Sequence, residues 1–202
     1  MNAEEFIAAL VAHTPADQQE ENHRSEMMRF VSTHAHNWWM RTTEAGHVTG
    51  SAWVVNQAHT HALLLHHVKL DLWVQPGGHL DDTDITPAAG AMREAREETG
   101  MQELAFAGAF GKGCGDGFAN AFGNNRLFDV DIHCIPARTG KAGPEPGHLH
   151  YDARYLIMTS DERATISAES RDAKWISLEE LAHPSRERSI ARMAEKSLKM
   201  KS

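Results

Sequence analysis

Cysteine is scarce in this 202-residue chain, with Cys114 and Cys134 the whole supply. Two cysteines without CxxC spacing make no disulfide framework, which fits a reducing compartment. Long apolar runs are also missing. No stretch approaches the roughly 18 residues that cross a bilayer, and the chain start lacks the basic residues and apolar segment of a secretory leader. These absences argue against membrane and secreted classes, and the expected location is cytoplasmic. Positive charge is in deficit too. Lys and Arg number 20 against 28 Asp and Glu, a formal net charge of −8, which disfavours binding to a nucleic-acid polymer. An anionic ligand would need local arginines or a divalent metal. What is present is a folded balance, 41% hydrophobic and 24% charged, in a length that suits one domain with room for extensions.

The order of elements follows from periodicity. Phe6, Ile7, Leu10 and Val11 share one face of a helix that Thr14-Pro15 stops. A polar stretch, Asp17 to His23, precedes a second helix marked by Met27, Phe30 and Val31 and reaching toward Trp38 and Trp39. These tryptophans read as core or edge packing, or as a platform on which a base stacks. Strands follow at His47–Asn56 and Ala62–His67. Thr86-Pro87 caps and opens a helix that runs to Thr99 and stops at Gly100. Leu104–Phe110 reads as a strand, Gly111–Asn125 as a Gly- and Asn-rich loop, and Arg138–Gly147 as a Gly/Pro loop. Leu127–Ile135 and Tyr151–Met158 alternate cleanly. Lys174–Ile176 is a short strand, Leu178–Ala182 a short helix and Pro184–Ser202 a final charged helix. The expected fold is α+β, a mixed sheet sandwiched between helices (α/β/α) with an N-terminal helical extension.

The segment with chemical content is Gly78–Met101. On a helix Glu94, Glu97 and Glu98 stand at i, i+3 and i+4, so their carboxylates share a face. Like charges so placed repel each other, and a hard divalent cation with oxygen ligands turns that repulsion into binding. Ala88, Ala89, Met92 and Ala95 give the helix a small apolar flank for close packing on a sheet.

This arrangement resembles the Nudix hydrolase box. Gly78 opens it, and Arg93, Glu94, Glu97, Glu98, Gly100 and Met101 fill the later slots. Two positions depart from the pattern. Asp84 stands in for the mid-box Glu, with eight residues rather than seven before Arg93, and Ala95 fills the aliphatic slot. The likeness extends outside the box, to a bacterial subgroup of the family. Gly46-His47-Val48-Thr49-Gly50-Ser51-Ala52 resembles its first core strand, Gln75-Pro76-Gly77-Gly78-His79 its approach to the box, and His148-Leu149-His150-Tyr151-Asp152 a later strand. Residues 1–45 are then an N-terminal helical extension, 46–184 the Nudix domain and 185–202 a C-terminal helix packed on it.

The resemblance implies hydrolysis of a pyrophosphate bond in a nucleoside diphosphate linked to another moiety. It implies Mg²⁺ or Mn²⁺ held by Glu94, Glu97, Glu98 and the Gly78 carbonyl, with Arg93 orienting the glutamates and Asp84 as its partner. The carboxylate that activates water is either Glu94 or Glu169, which lies in the loop before the closing strand at Trp175. The rows Asp129/Asp131/His133 and His148/His150/Asp152/Arg154 are each in phase on their segments. If they face the box helix, Arg154 would contact phosphate, and His133 and His150 would bind phosphate or ribose. A buried polar network is the alternative, and a separate histidine metal site a third, since histidines at i and i+2 point the same way on a strand. Two other functions stand beside hydrolysis. One is a Nudix module that senses a nucleotide without cleaving it, and its N-terminal helices would serve homodimerisation or regulation. The other is an isopentenyl-diphosphate isomerase-like reaction, which needs a catalytic Cys that neither Cys114 nor Cys134 resembles.

Overall fold

The computed structural model describes residues 1–107, 126–140 and 143–200, with 138–140 and 143–145 described as backbone alone. Helices α1 (Ala3–Ala12) and α2 (Gln18–Thr33) come first. Strands β1 (Gly46–Asn56), β2 (His61–His67), β3 (Leu72–Val74) and β4 (Gly77–His79) lead to helix α3 (Pro87–Thr99). Strand β5 (Leu104–Phe106) precedes the segment outside the described residues, and β6 (Asp129–Ile135) follows it. Strands β7 (Arg138–Gly140) and β8 (Gly143–Glu145), β9 (His148–Thr159) and β10 (Ser170–Ser177) precede helices α4 (Leu178–Leu181) and α5 (Arg188–Met200).

Among the described residues the main sheet is mixed and eight-stranded, with a central path β10-β2-β1-β9-β5. Strand β3 pairs with β2, β4 with β1 and β6 with β9. At its centre β1 and β9 run parallel, from Gly46 beside Leu149 to Asn56 beside Thr159. Every residue of β1 is buried, as expected of a central strand covered on both faces. Alternation divides its side chains between two layers. Val48, Ala52 and Val54 pack with Ala88, Ala91, Met92 and Ala95 of α3. Trp53 and Val55 pack on the other face with Leu178, Leu181, Ile190 and Met193, and the Trp53 indole N–H donates to Ser197 Oγ at 2.9 Å. Helices therefore cover both faces of the sheet, as the sequence leads one to expect.

The N-terminal helices belong to the core on the α3 face. Phe6, Leu10, Met27, Phe30 and Val31 cluster with Ala88, Ala91, Tyr151 and Tyr155. Trp38 is fully buried and stacks on Phe6 with ring centroids 4.9 Å apart, so it packs the core and offers no exposed platform to a base. Helix α2 begins earlier than its apolar residues imply, because Asp17 caps it by accepting from the Glu20 N–H at 2.8 Å. The polar stretch is its first turns, and these protect the edge of the sheet. Glu20 Oε1 accepts from the Val130 N–H at 3.4 Å and His23 Nδ1 from the Ile132 N–H at 3.3 Å, both on β6.

Other boundaries shift as well. The Gly/Pro loop over 138–147 contains the antiparallel pair β7–β8. The strand expected over 104–110 is described only as β5, and its last residues, like the Gly111–Asn125 loop with Cys114, lie outside the described residues. The final helix starts at Arg188, after a turn in which the His183 ring and Ser185 satisfy each other. Among the described residues no helix is long and apolar enough to cross a membrane.

Candidate active site

Helix α3 has defined ends. Thr86 Oγ1 accepts from the Ala89 N–H at 3.2 Å, Pro87 occupies the first turn, and Gly100 closes the helix at φ 66°. The apolar flank of Ala88, Ala91, Met92 and Ala95 is buried against the sheet. That seating turns Glu94 and Glu98 toward β4 and leaves Glu97 exposed beside them. The Glu98 carboxylate is buried and accepts from the Gly77 N–H at 2.9 Å. The Glu94 carboxylate lies close over Gly78, where a Cβ would stand 2.7 Å from its carbon and from one of its oxygens. Backbone of the Pro-Gly-Gly turn and the carboxylates of α3 thus meet in one place.

Arg93 ties this acidic face to the loop before the helix. Its guanidinium donates to Asp84 at 2.9 and 3.3 Å, to Glu94 Oε1 and Glu97 Oε2 at 3.0 Å each, and to the His79 carbonyl at 2.9 Å. Asp84 also accepts from the Asp81 N–H at 2.8 Å. The Asp84 contacts hold Arg93 firmly protonated despite partial burial. Asp84 therefore holds the loop and the arginine, while Glu97 stays exposed and Glu98 is buried.

Electrostatics set Glu94 and Glu98 apart from ordinary surface carboxylates. Burial pushes Glu98 up to about 7, against the Gly77 hydrogen bond, and the charges of Glu94, Glu169 and Glu97 add to the rise. Glu94 is raised by burial as well, offset in part by Arg93. Glu169 is exposed, in a loop tied to the end of α3. The Thr165 and Ser167 N–H groups donate to the Thr99 and Glu98 carbonyls at 2.7 and 3.1 Å, and the Val68 N–H donates to the Glu169 carbonyl at 2.9 Å. Glu169 thereby stands near enough to Glu98 for its charge to act there.

The strand rows fall elsewhere. Gly50, which faces α3, is paired with Gly78, so the flanking residues Thr49 and Ser51 point to the opposite face. Asp152 lies on that opposite face, accepting from Thr49 at 3.0 Å and Ser51 at 2.7 Å. Arg154 joins it there. The expectation that Arg154 meets phosphate is corrected: the side chain is 4% exposed and bonded to Asp152, Asp131 and Asp129 at 2.8, 3.1 and 3.3 Å. Asp129 is shared with Arg192 and Lys196 of α5 at 2.8 Å each. Burial alone would raise the Asp129 carboxyl, but its Arg192 hydrogen bonds and the charges of Arg154 and Lys196 hold it well below the usual range. His133 and His150, paired across β6 and β9 with rings 5.4 Å apart, lie on this same face. The structure does not bring them to the glutamates, because the alternation that puts Glu94 beside Gly78 puts them across the sheet. The roles of Glu20 and His23 escape sequence reading altogether, since capping a strand edge more than 100 residues away leaves no local signal.

A family model described as NUDIX domain matches residues 46–196. Among solved structures, the E. coli dihydroneopterin triphosphate pyrophosphohydrolase is similar with a TM-score of 0.51 at 15% identity, over 74% of this chain and 92% of that one. The MutT protein from Methanosarcina mazei Go1 is similar with a TM-score of 0.50 at 15% identity, over 78% and 96%. A NUDIX-family hydrolase from Clostridium perfringens shares 25% identity over 76% and 97%, with a TM-score of 0.49. No curated protein matches the chain.

Proposed function

This chain belongs to the Nudix family, and we propose that it hydrolyses a pyrophosphate bond in a nucleoside diphosphate linked to another moiety, with Mg²⁺ or Mn²⁺ as cofactor. The observation that carries this reading is the meeting of Glu94 and Glu98 with the Pro-Gly-Gly turn, with Glu97 joined to Glu94 through Arg93. An all-oxygen donor set suits a hard cation. Glu98, held near neutrality by burial and like charge, is a carboxylate that a divalent cation would stabilise in its ionised form.

The residues that would hold the metal are Glu94, Glu97, Glu98 and the Gly78 carbonyl. When bound, the metal neutralises phosphate oxygens and lowers the pKa of water. The chain's own part is positioning. Arg93 and Asp84 fix the loop and the orientation of Glu94 and Glu97. Either Glu94 or Glu169 takes the proton from the attacking water, and the loop that ties Glu169 to the end of α3 supports a role for it. The test is a phosphate-release screen over dinucleotide polyphosphates, nucleotide sugars, ADP-ribose and oxidised nucleotides, with Mg²⁺ and with Mn²⁺. Turnover of at least one class supports the reading. Tight nucleotide binding with no turnover of any class would favour a sensing module.

A further inference from the structure

Five histidines converge on the sheet face opposite α3. His47 on β1 stands in register with His150 on the parallel strand β9. His79 on β4 and His133 on β6 flank them, and His148 lies two residues before His150 on the same face. Ring centroids are 4.7 Å apart for His47–His150 and 5.1 Å for both His47–His148 and His148–His150. The His79 ring is 5.0 Å from His47 and 5.1 Å from His150.

We propose that His47, His148 and His150 form a second metal site, selective for a zinc-class transition ion and separate from the glutamates. One ring nitrogen from each of the three lies within 4.8 Å of the other two. The Nε2 atoms of His148 and His150 are 3.3 Å apart. Two nitrogens on one tetrahedral zinc, each about 2.0–2.1 Å from the ion, stand roughly 3.3 Å apart. His148 is also oriented for the task. Its Nδ1 lies 3.0 Å from the Pro146 carbonyl, which can only accept, so Nδ1 carries the proton and Nε2 keeps its lone pair toward His150. Such an outer hydrogen bond is how metal-bound imidazoles are usually held.

The donor chemistry separates this site from the glutamate face. Imidazole nitrogens suit zinc, copper and nickel, and carboxylate oxygens suit magnesium and manganese. His79 and His133 stand nearby as candidates for a fourth ligand. His47 is buried while His148 and His150 are half-buried, so the cluster is anchored at one side and reachable from the other. The ion would tie the start of β1 to the start of β9.

The test uses the full chain, stripped with chelator and dialysed against limiting Zn²⁺, with bound metal measured directly and Co²⁺ substituted for its visible spectrum. The wild type and the triple variant Glu94→Gln, Glu97→Gln, Glu98→Gln are expected to retain one tight Zn²⁺, and Co²⁺ to show a nitrogen-ligand spectrum in both. The double variant His148→Gln, His150→Gln should lose both signals. His148→Gln alone, at a half-buried position and close in volume, guards against misfolding of the double variant and should weaken zinc binding by about tenfold or more. Zinc that stays bound in the histidine variants, leaves with the glutamates, or fails to bind the wild type tightly would overturn the site.

Discussion

At Gly78 a methyl group would meet the Glu94 carboxylate at 2.7 Å, so the Glu94 side chain would have to move aside. Gly78→Ala is expected to displace Glu94 and lower turnover by about tenfold or more, with little change in melting temperature because Gly78 is only half-buried. Equal losses of stability and activity would show a folding role instead. The identity of the base is also decided by single residues. If Glu169 activates water, Glu169→Gln should depress the single-turnover rate strongly and leave nucleotide binding nearly intact. If Glu94 does, Glu169→Gln should cost under about tenfold, roughly 1.4 kcal/mol. The common face of Glu94, Glu97 and Glu98 is legible from their spacing, because helical geometry alone sets it. The burial that raises Glu98 is not legible in the same way, since it depends on how β4 packs against α3.

Periodicity on β6 and β9 tells which residues share a face but not which face that is. Alternation is a local property, whereas the side of the sheet is set by the parallel β1–β9 pairing and by the seating of α3, both long-range. Asp129, Asp131, Asp152 and Arg154 do belong together, as their phase implies, and what they form is a buried ionic network that joins β6, β9 and α5. Removing one partner leaves buried charge uncompensated. Arg154→Ala is therefore expected to destabilise the protein by about 3–5 kcal/mol, lowering the melting temperature by roughly 10 °C. Unchanged melting with a raised Michaelis constant would return Arg154 to the substrate. The same network has a pH signature. Asp129 is held below its ordinary value of 3.8 in the folded state, so its contribution to stability is fully present above that pH. That contribution should drain away as acid protonates the carboxyl, and Asp129→Asn should flatten this part of the acid-unfolding curve.

Across the whole molecule, the terminal helices close the fold from two sides. Helices α1 and α2 contribute Phe6, Leu10, Met27, Phe30 and Val31 to the core beside α3, and Glu20 bonds both the β6 edge and Lys196 of α5. Deleting residues 1–36 would uncover this apolar cluster and the β6 backbone edge. The truncated chain is expected to aggregate or unfold, as judged by light scattering and circular dichroism, and a stable, soluble fragment would mark these helices as a detachable extension. The helices themselves are legible from their apolar spacing. Their integration is not, because a sequence shows which face is apolar and not what covers it. If the acidic face of α3 holds a catalytic metal, hydrolysis depends on both the ion and the Glu98 carboxylate. Pyrophosphate hydrolysis should be followed for the wild type and Glu98→Gln in excess chelator and after readdition of Mg²⁺ or Mn²⁺. The expected result is no turnover in chelator, recovery with either metal, and a rate roughly a hundredfold lower in a folded Glu98→Gln variant. Full activity in excess chelator, or a near-normal rate without the Glu98 carboxylate, would contradict it.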